Sequence, residues 1–477
     1  MEYGRLKNYL SRKSFKSKMM ISFLESCKFV GLENGPKNLE KGFNPWMVET
    51  FTLLSIMANE WKNDKFKKSE LPKIYNAIHS GIDNDVDINK GFKVFEKYCT
   101  QQFDIQENQF IKMYRMNYFF NFKNNKIDMK SEFKNAFGFS YEEIINYYNQ
   151  LAMILSVLYE NLNNSILVEL LGKYVFKQNE LLTNIFSIER ESFTNKMIEI
   201  TQNEQDYLYC ANPLYSYPFI KYEGITYLPV PHLLLRACTY SLLYRLTENN
   251  NNLRMMIGKE VMENYVYNLL VESDCYNYVS PEVEFKYQKN LLRSCDSICV
   301  DGDKMLLCEC KLTVPSNQYR LLNLERRNSD IKKLCENLNQ LYKQLKYYSE
   351  LYDFGRFKQK FEISNKYGIL ILFENLYIDR EELFNRFLEE YRIKETEHVW
   401  VKTHLKVVDL HYLEKMTITK NSIIDDLVKI NLNEWNYYLT ADSYSSDNPI
   451  TSFVNFKRNR MKGIDELIEN IKKDLTC

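Results

Sequence analysis

The chain has 477 residues, enough for about two to four domains at ~150 residues each. Hydrophobic residues at 45% and charged residues at 26% exclude wholesale disorder, and 63 Lys+Arg against 63 Asp+Glu give a formal net charge of +0. That balance excludes a histone-like binder and leaves any polyanion to be met by local basic patches. Residues 1–200 read as a helical domain. Helical spacing runs through 144–158 and 166–175, and the aromatic run 118–122 reads as core. Ser140 and Glu143 fit a capping box that opens a helix. No catalytic constellation falls in this stretch, so a regulatory or partner-binding role is expected, through a partner protein or self-association.

Residues 201–250 hold four of the ten prolines, at Pro213, Pro218, Pro229 and Pro231. Apolar runs at 219–222 and 225–228 flank Glu223-Gly224, a hairpin signal, and a helix follows at 232–246. From 251 to 415 the elements alternate. A helix runs over 253–272, and strands are expected at 282–287, 296–300 and 305–312. A long helix at 331–351 precedes a buried strand at 368–373 and further strands at 399–401 and 406–410. Residues 416–477 read as a helical extension with a basic cluster at Lys457, Arg458, Arg460 and Lys462. The pattern is α+β: an all-helical N-terminal domain, then an α/β core with a mixed sheet. The 11 cysteines are scattered along a long chain, and no apolar run approaches the ~20 residues of a membrane span. A cytoplasmic protein with reduced thiols and no membrane partner is the expectation.

Chemistry concentrates at 293–312. Asp301-Gly302-Asp303-Lys304 is a strong turn signal between two apolar runs. A two-residue loop at Gly302-Asp303 sets Asp296 opposite Glu309; a loop at Asp301-Gly302 shifts the partner by two, to Leu307. Side chains alternate along strands, so either register places Asp296, Glu309 and Lys311 on one face. Two carboxylates among apolar neighbours repel, and a divalent cation resolves that conflict. Mg²⁺ takes one or two carboxylates plus waters and phosphate oxygens, and a neighbouring lysine offsets developing charge.

Asp296-x12-Glu309-x-Lys311 resembles the catalytic motif of the PD-(D/E)XK nuclease superfamily, with Cys295 where the motif's proline would stand. The resemblance spans roughly 253–413. It implies a restriction-endonuclease-like fold in which Asp296 and Glu309 bind Mg²⁺ (or Mn²⁺) and Lys311 completes the site. It also implies a glutamate on the helix before the first core strand. Glu263 lies at the edge of that helix's apolar stripe and is preferred to Glu260, which points away from it. Gln344 and Tyr348 resemble the Gln-x-x-x-Tyr motif of the RecB-like branch, with Gln344 able to reach the metal site or a phosphate. The implied activity is metal-dependent hydrolysis of nucleic acid, DNA favoured, and by analogy a role in bacterial anti-phage or foreign-DNA defence. The alternative is a catalytically silent nuclease-fold subunit that binds nucleic acid or supports assembly.

Simpler readings compete. A salt-bridged sheet face explains one carboxylate–lysine pair but not the second carboxylate. Cys295, Cys299, Cys308 and Cys310 share the face opposite Asp296 by alternation, and small core thiols explain them better than zinc. No nucleotide-binding glycine loop occurs. Basic residues crowd the N-terminus from Arg5 to Lys18. Arg326, Arg327, Lys332 and Lys333 lie between the Glu309 strand and the Gln344 helix, and are the favoured phosphate contacts.

Overall fold

The computed structural model of the chain describes residues 3–29, 45–85, 108–160, 179–201, 204–321, 323–352, 360–429 and 449–476. The helical spacing noted at 166–175 lies outside these residues. The chain is mixed α+β and divides into two compact units. The first comprises residues 1–121, 128–249 and 457–477; the second comprises 122–127 and 250–456. The proline-rich segment is therefore part of the first unit, not a connector. The basic extension is not a separate element either, since its residues are divided between the units.

The first unit is built on helices α1 (Tyr3–Leu10), α2 (Phe15–Ser26), α3 (Pro45–Met57), α4 (Leu71–Asp85), α5 (Gln109–Asn121) and α6 (Tyr141–Glu160). Helix α3 is buried at every position. Two of its buried hydroxyls are satisfied within the helix: those of Thr50 and Thr52 donate to the carbonyls of Trp46 (2.8 Å) and Val48 (2.7 Å). The capping box opens α6, with Ser140 N donating to Glu143 Oε2 at 2.7 Å and Glu143 N to Ser140 Oγ at 3.3 Å. Phe119 and Phe120 are core, as their aromatic run suggests. The region before residue 200 is not wholly helical. Strand β1 (Ser187–Glu189) pairs in parallel with β2 (Phe219–Tyr222), which turns into β3 (Ile225–Tyr227). Glu223 and Gly224 take the positive φ values of 50° and 75° that a tight hairpin requires.

The second unit centres on a five-stranded sheet in the order β10-β9-β8-β7-β4. Strands β4 (Tyr278–Pro281), β7 (Ser297–Asp301) and β8 (Lys304–Lys311) are antiparallel neighbours. Strands β9 (Lys366–Leu372) and β10 (Leu405–Asp409) continue in parallel from β8. Helix α7 (Glu263–Ser273) precedes β4, and α8 (Leu324–Lys343) lies between β8 and β9. A separate hairpin, β5 (Glu284–Tyr287) with β6 (Asn290–Arg293), is inserted between β4 and β7. The face of α8 carrying Ile331, Leu334, Leu338 and Leu341 packs on Ile298, Val300, Met305 and Leu307 of the sheet. Strand β9 is buried along its whole length, as a central strand covered on both faces must be. Gly368 lets the helix approach: a Cβ there would stand 2.8 Å from Leu345 Cδ1 and 3.0 Å from Leu341 Cγ. One expected strand is absent. Residues 399–401 lie within the helix Glu395–His404, where Val401 is buried and Val399 is 78% exposed. Three alternating residues are too few to separate a strand from one helical turn.

Candidate active site

The β7–β8 ladder pairs Ser297 with Cys308 and Asp301 with Lys304, leaving Gly302-Asp303 as the loop. Of the two registers compatible with the sequence, this is the one that sets Asp296 opposite Glu309, one step beyond the last ladder pair. Gly302 supplies the left-handed backbone at φ 58°. Asp296 Oδ2 accepts the Cys310 N–H at 2.6 Å, which fixes the carboxylate against β8. Lys311 Nζ donates to Glu309 Oε1 at 2.6 Å. Glu309 is 3% exposed, and its Oε2 is buried with no nitrogen or oxygen donor. Asp296, Glu309 and Lys311 are thus brought together.

Burial and mutual repulsion dominate the electrostatics. Burial, then the Glu309 charge, pushes the Asp296 carboxyl up to about 7, against the Cys310 N–H and Lys311, which act to lower it. Glu263 is pushed up to about 8, first by burial and then by Asp296, Glu282 and Glu309, with Lys259 opposing. For Lys311, burial acts to lower the ammonium's pKa, but Glu309 and Asp296 together hold it above its ordinary value, so it stays charged. Glu282 completes this acidic surround. It lies in the link between β4 and the inserted hairpin, where the sequence suggested a strand; no motif singled it out.

Glu263 feels the pair's charge but does not complete a cage. Among the described residues, no group of three or more His, Cys, Asp or Glu side chains is gathered to hold a metal. The three-carboxylate cluster that the resemblance implies is therefore not gathered among the described residues, though Glu263 stays within electrostatic reach of Asp296 and Glu309. That pair fits Mg²⁺, which keeps much of its coordination for water and phosphate oxygens. Glu309 Oε2, beside the buried Cys295 thiol and without a nitrogen or oxygen donor, is the buried oxygen such an ion would meet.

The neighbouring Glu260 turns to partners other than the site carboxylates. Residues Ile257–Met262 form a π turn, whose extra residue rotates the following positions by about 100°. Glu260 is 8% exposed and accepts Asn124 Nδ2 at 3.0 Å and Lys126 Nζ at 2.8 Å.

Gln344 begins a second π turn, Gln344–Tyr348, directly after α8. Its amide donates to the Arg293 carbonyl at 2.8 Å and accepts from the Tyr352 hydroxyl. It therefore braces the segment that leads into Asp296 and is corrected from a metal or phosphate contact to a positioning residue. Tyr348 packs on Phe285 and Tyr287, as a core-side aromatic.

The basic group divides. Arg327 is 3% exposed and forms a two-pronged pair with Glu382, Nη1 to Oε1 at 2.9 Å and Nη2 to Oε2 at 2.6 Å. It ties α8 to the helix Arg380–Glu390 and is corrected from a phosphate contact to a structural ion pair. Arg326 donates to Asp330 at 3.1 Å, one turn on along the same helix. Lys332 and Lys333 are exposed. The cysteine expectation also changes in one place. Cys295 joins the α8-side core with Ile298 and Leu307, so the four thiols do not share a face. Irregular backbone just before β7 breaks the alternation. Comparison with protein families, with curated proteins and with solved structures finds no match for this chain.

Proposed function

We propose that the second unit is a metal-dependent nuclease with a restriction-endonuclease-like core, hydrolysing phosphodiester bonds of nucleic acid, DNA favoured. The observation that carries this reading is the convergence of Asp296, Glu309 and Lys311 at the end of β7–β8, with a buried Glu309 oxygen that meets no nitrogen or oxygen donor. The surroundings support it as well: a glutamate-bearing helix before β4, a strand before the hairpin, and a long helix after it. Asp296 and Glu309 would hold Mg²⁺ or Mn²⁺, which supplies an acidified water and charge neutralisation at phosphate. The Cys310 N–H keeps Asp296 oriented. Lys311, charged at neutral pH, is suited to stabilise negative charge on the phosphate rather than to act as a base. Glu263 holds a proton near neutrality and can give it up when the local negative charge is reduced.

The first unit would control that activity through a partner or self-association. A role in defence against foreign DNA rests on analogy alone. The silent-subunit reading is distinguished by assay. The full chain, with Mg²⁺ or Mn²⁺, is tested on linear, circular and single-stranded substrates. Metal-dependent cleavage abolished by Asp296→Ala supports the enzyme, while binding without cleavage under every condition supports the silent subunit.

A further inference from the structure

The first unit exposes a tryptophan within a basic surface. Trp61 is 60% exposed, although burying an indole is among the largest stabilising contributions a side chain can make. Its loop is firmly held against the turn that follows α1. Trp61 N donates to the Ser11 carbonyl at 3.1 Å, Asp64 N to the Arg12 carbonyl at 3.1 Å, and Ser14 N to the Asp64 carbonyl at 2.8 Å. Phe66, 1% exposed, anchors the far end by stacking on Phe51, with ring centroids 5.2 Å apart. The indole is therefore presented outward by a braced scaffold.

Cations surround it. The Arg12 guanidinium lies 5.4 Å from the Trp61 ring centroid and the Lys62 ammonium 4.9 Å. Lys65, Lys67 and Lys73 are exposed on the same loop and the start of α4. The acids nearby are largely engaged. Glu70 pairs with Lys13 at 2.8 Å, and Glu60 faces the buried Lys18 at 3.5 Å. Asp64 remains exposed. The chain's net charge of +0 makes such a local excess of cations the way a polyanion would be met.

We infer that this surface, Trp61 with Arg12, Lys62, Lys65, Lys67 and Lys73, binds single-stranded nucleic acid. An unpaired base stacks on the indole while the cations meet the flanking phosphates. The exposed Lys62 side chain can swing off the ring face to admit the base. A bilayer is the weaker match, because Trp61 is followed by the polar residues Lys62, Asn63, Asp64 and Lys65. The inference does not rest on the nuclease reading, since no residue of the second unit takes part.

The test is fluorescence anisotropy of labelled 20-residue oligo-dT and oligo-rU, with a DNA duplex as control. It uses full-length protein without divalent metal, across a KCl series. Trp61→Ala should weaken single-strand binding by about 5- to 150-fold, the range expected for loss of one stacked base. Trp61→Phe should restore part of it. Replacing Arg12, Lys62 and Lys65 with Gln should reduce the salt slope by about two, at roughly 0.7 per phosphate contact. The assay contains no divalent metal and reads binding alone, so failure of the catalytic reading leaves this result unchanged. Unaltered single-strand affinity in Trp61→Ala would overturn the inference. So would Trp61-dependent association with phosphatidylserine vesicles but not with oligonucleotide.

Discussion

Replacing Glu263 with glutamine should stabilise the metal-free protein. In the fold, Glu263 is pushed from its ordinary 4.5 to about 8 by burial and by the charges of Asp296, Glu282 and Glu309. A carboxyl whose folded pKa exceeds its unfolded one binds more protons folded than unfolded, so stability falls as pH rises between the two values. At pH 7 the cost is about 2.5 units at 1.36 kcal/mol each, or roughly 3 kcal/mol. Sharing of the charge with Asp296 and partial solvation of Glu263 reduce this to about 2 kcal/mol. Glutamine has the same shape and carries no charge to desolvate. With about 2–4 °C per kcal/mol for a unit of this size, Glu263→Gln should raise Tm by roughly 4–8 °C in EDTA at pH 7–8. At pH 5 wild-type Glu263 pays only ~0.7 kcal/mol, and the gain should shrink to below about 3 °C. Thermal unfolding followed by circular dichroism at both pH values measures this. A variant no more stable than wild type at pH 8, or a gain as large at pH 5, would refute the crowded-carboxylate reasoning.

Other consequences follow from the same geometry. Because Asp296 and Glu263 are pushed to about 7 and about 8, added Mg²⁺ should raise Tm more at pH 8.5 than at pH 6. An equal shift at both pH values, read by differential scanning fluorimetry, would argue against binding at these carboxylates. Lys311→Ala should lower the cleavage rate by about 10²-fold or more and leave the fold intact, as steady-state kinetics and circular dichroism would register. Gln344→Ala removes the brace on the Arg293 carbonyl, so it should reduce kcat by about tenfold with little change in KM; a KM effect alone would place Gln344 against substrate instead. Gly368→Ala brings a methyl against Leu341 and Leu345 and should destabilise the second unit by about 1–3 kcal/mol, measurable by urea unfolding.

Local signals in the sequence carried the site, and long-range ones were invisible to it. The β7–β8 hairpin is legible because Gly302-Asp303 fixes a turn and alternation then orders every side chain on both strands. Glu309 follows from that alone, while Asp296, one residue before β7, is held against β8 by the Cys310 N–H. Glu260's pairing with Asn124 and Lys126 was not legible because those partners lie 136 and 134 residues away in sequence. Arg327 looked like a phosphate contact because its partner Glu382 lies 55 residues away, beyond any helical or strand period. Gln344 engages the Arg293 carbonyl, a backbone atom that no side-chain pattern encodes. Glu282 escaped notice because it sits in a connection, where neither period applies. The parallel pairing of β1 with β2 joins residues about 30 apart, so a three-residue strand within helical sequence gave no warning.

The central claim, that Asp296 and Glu309 together hold a divalent cation for phosphodiester hydrolysis, is tested most directly by paired cleavage and metal-binding measurements. Full-length protein, Asp296→Ala and Glu309→Ala are each titrated with Mn²⁺ by calorimetry and assayed on linear, circular and single-stranded DNA. The account predicts Mn²⁺ binding and cleavage in the wild-type protein and loss of both in each variant, with unchanged circular dichroism. Cleavage that persists at the wild-type rate in Asp296→Ala would contradict it and place the chemistry elsewhere in the chain.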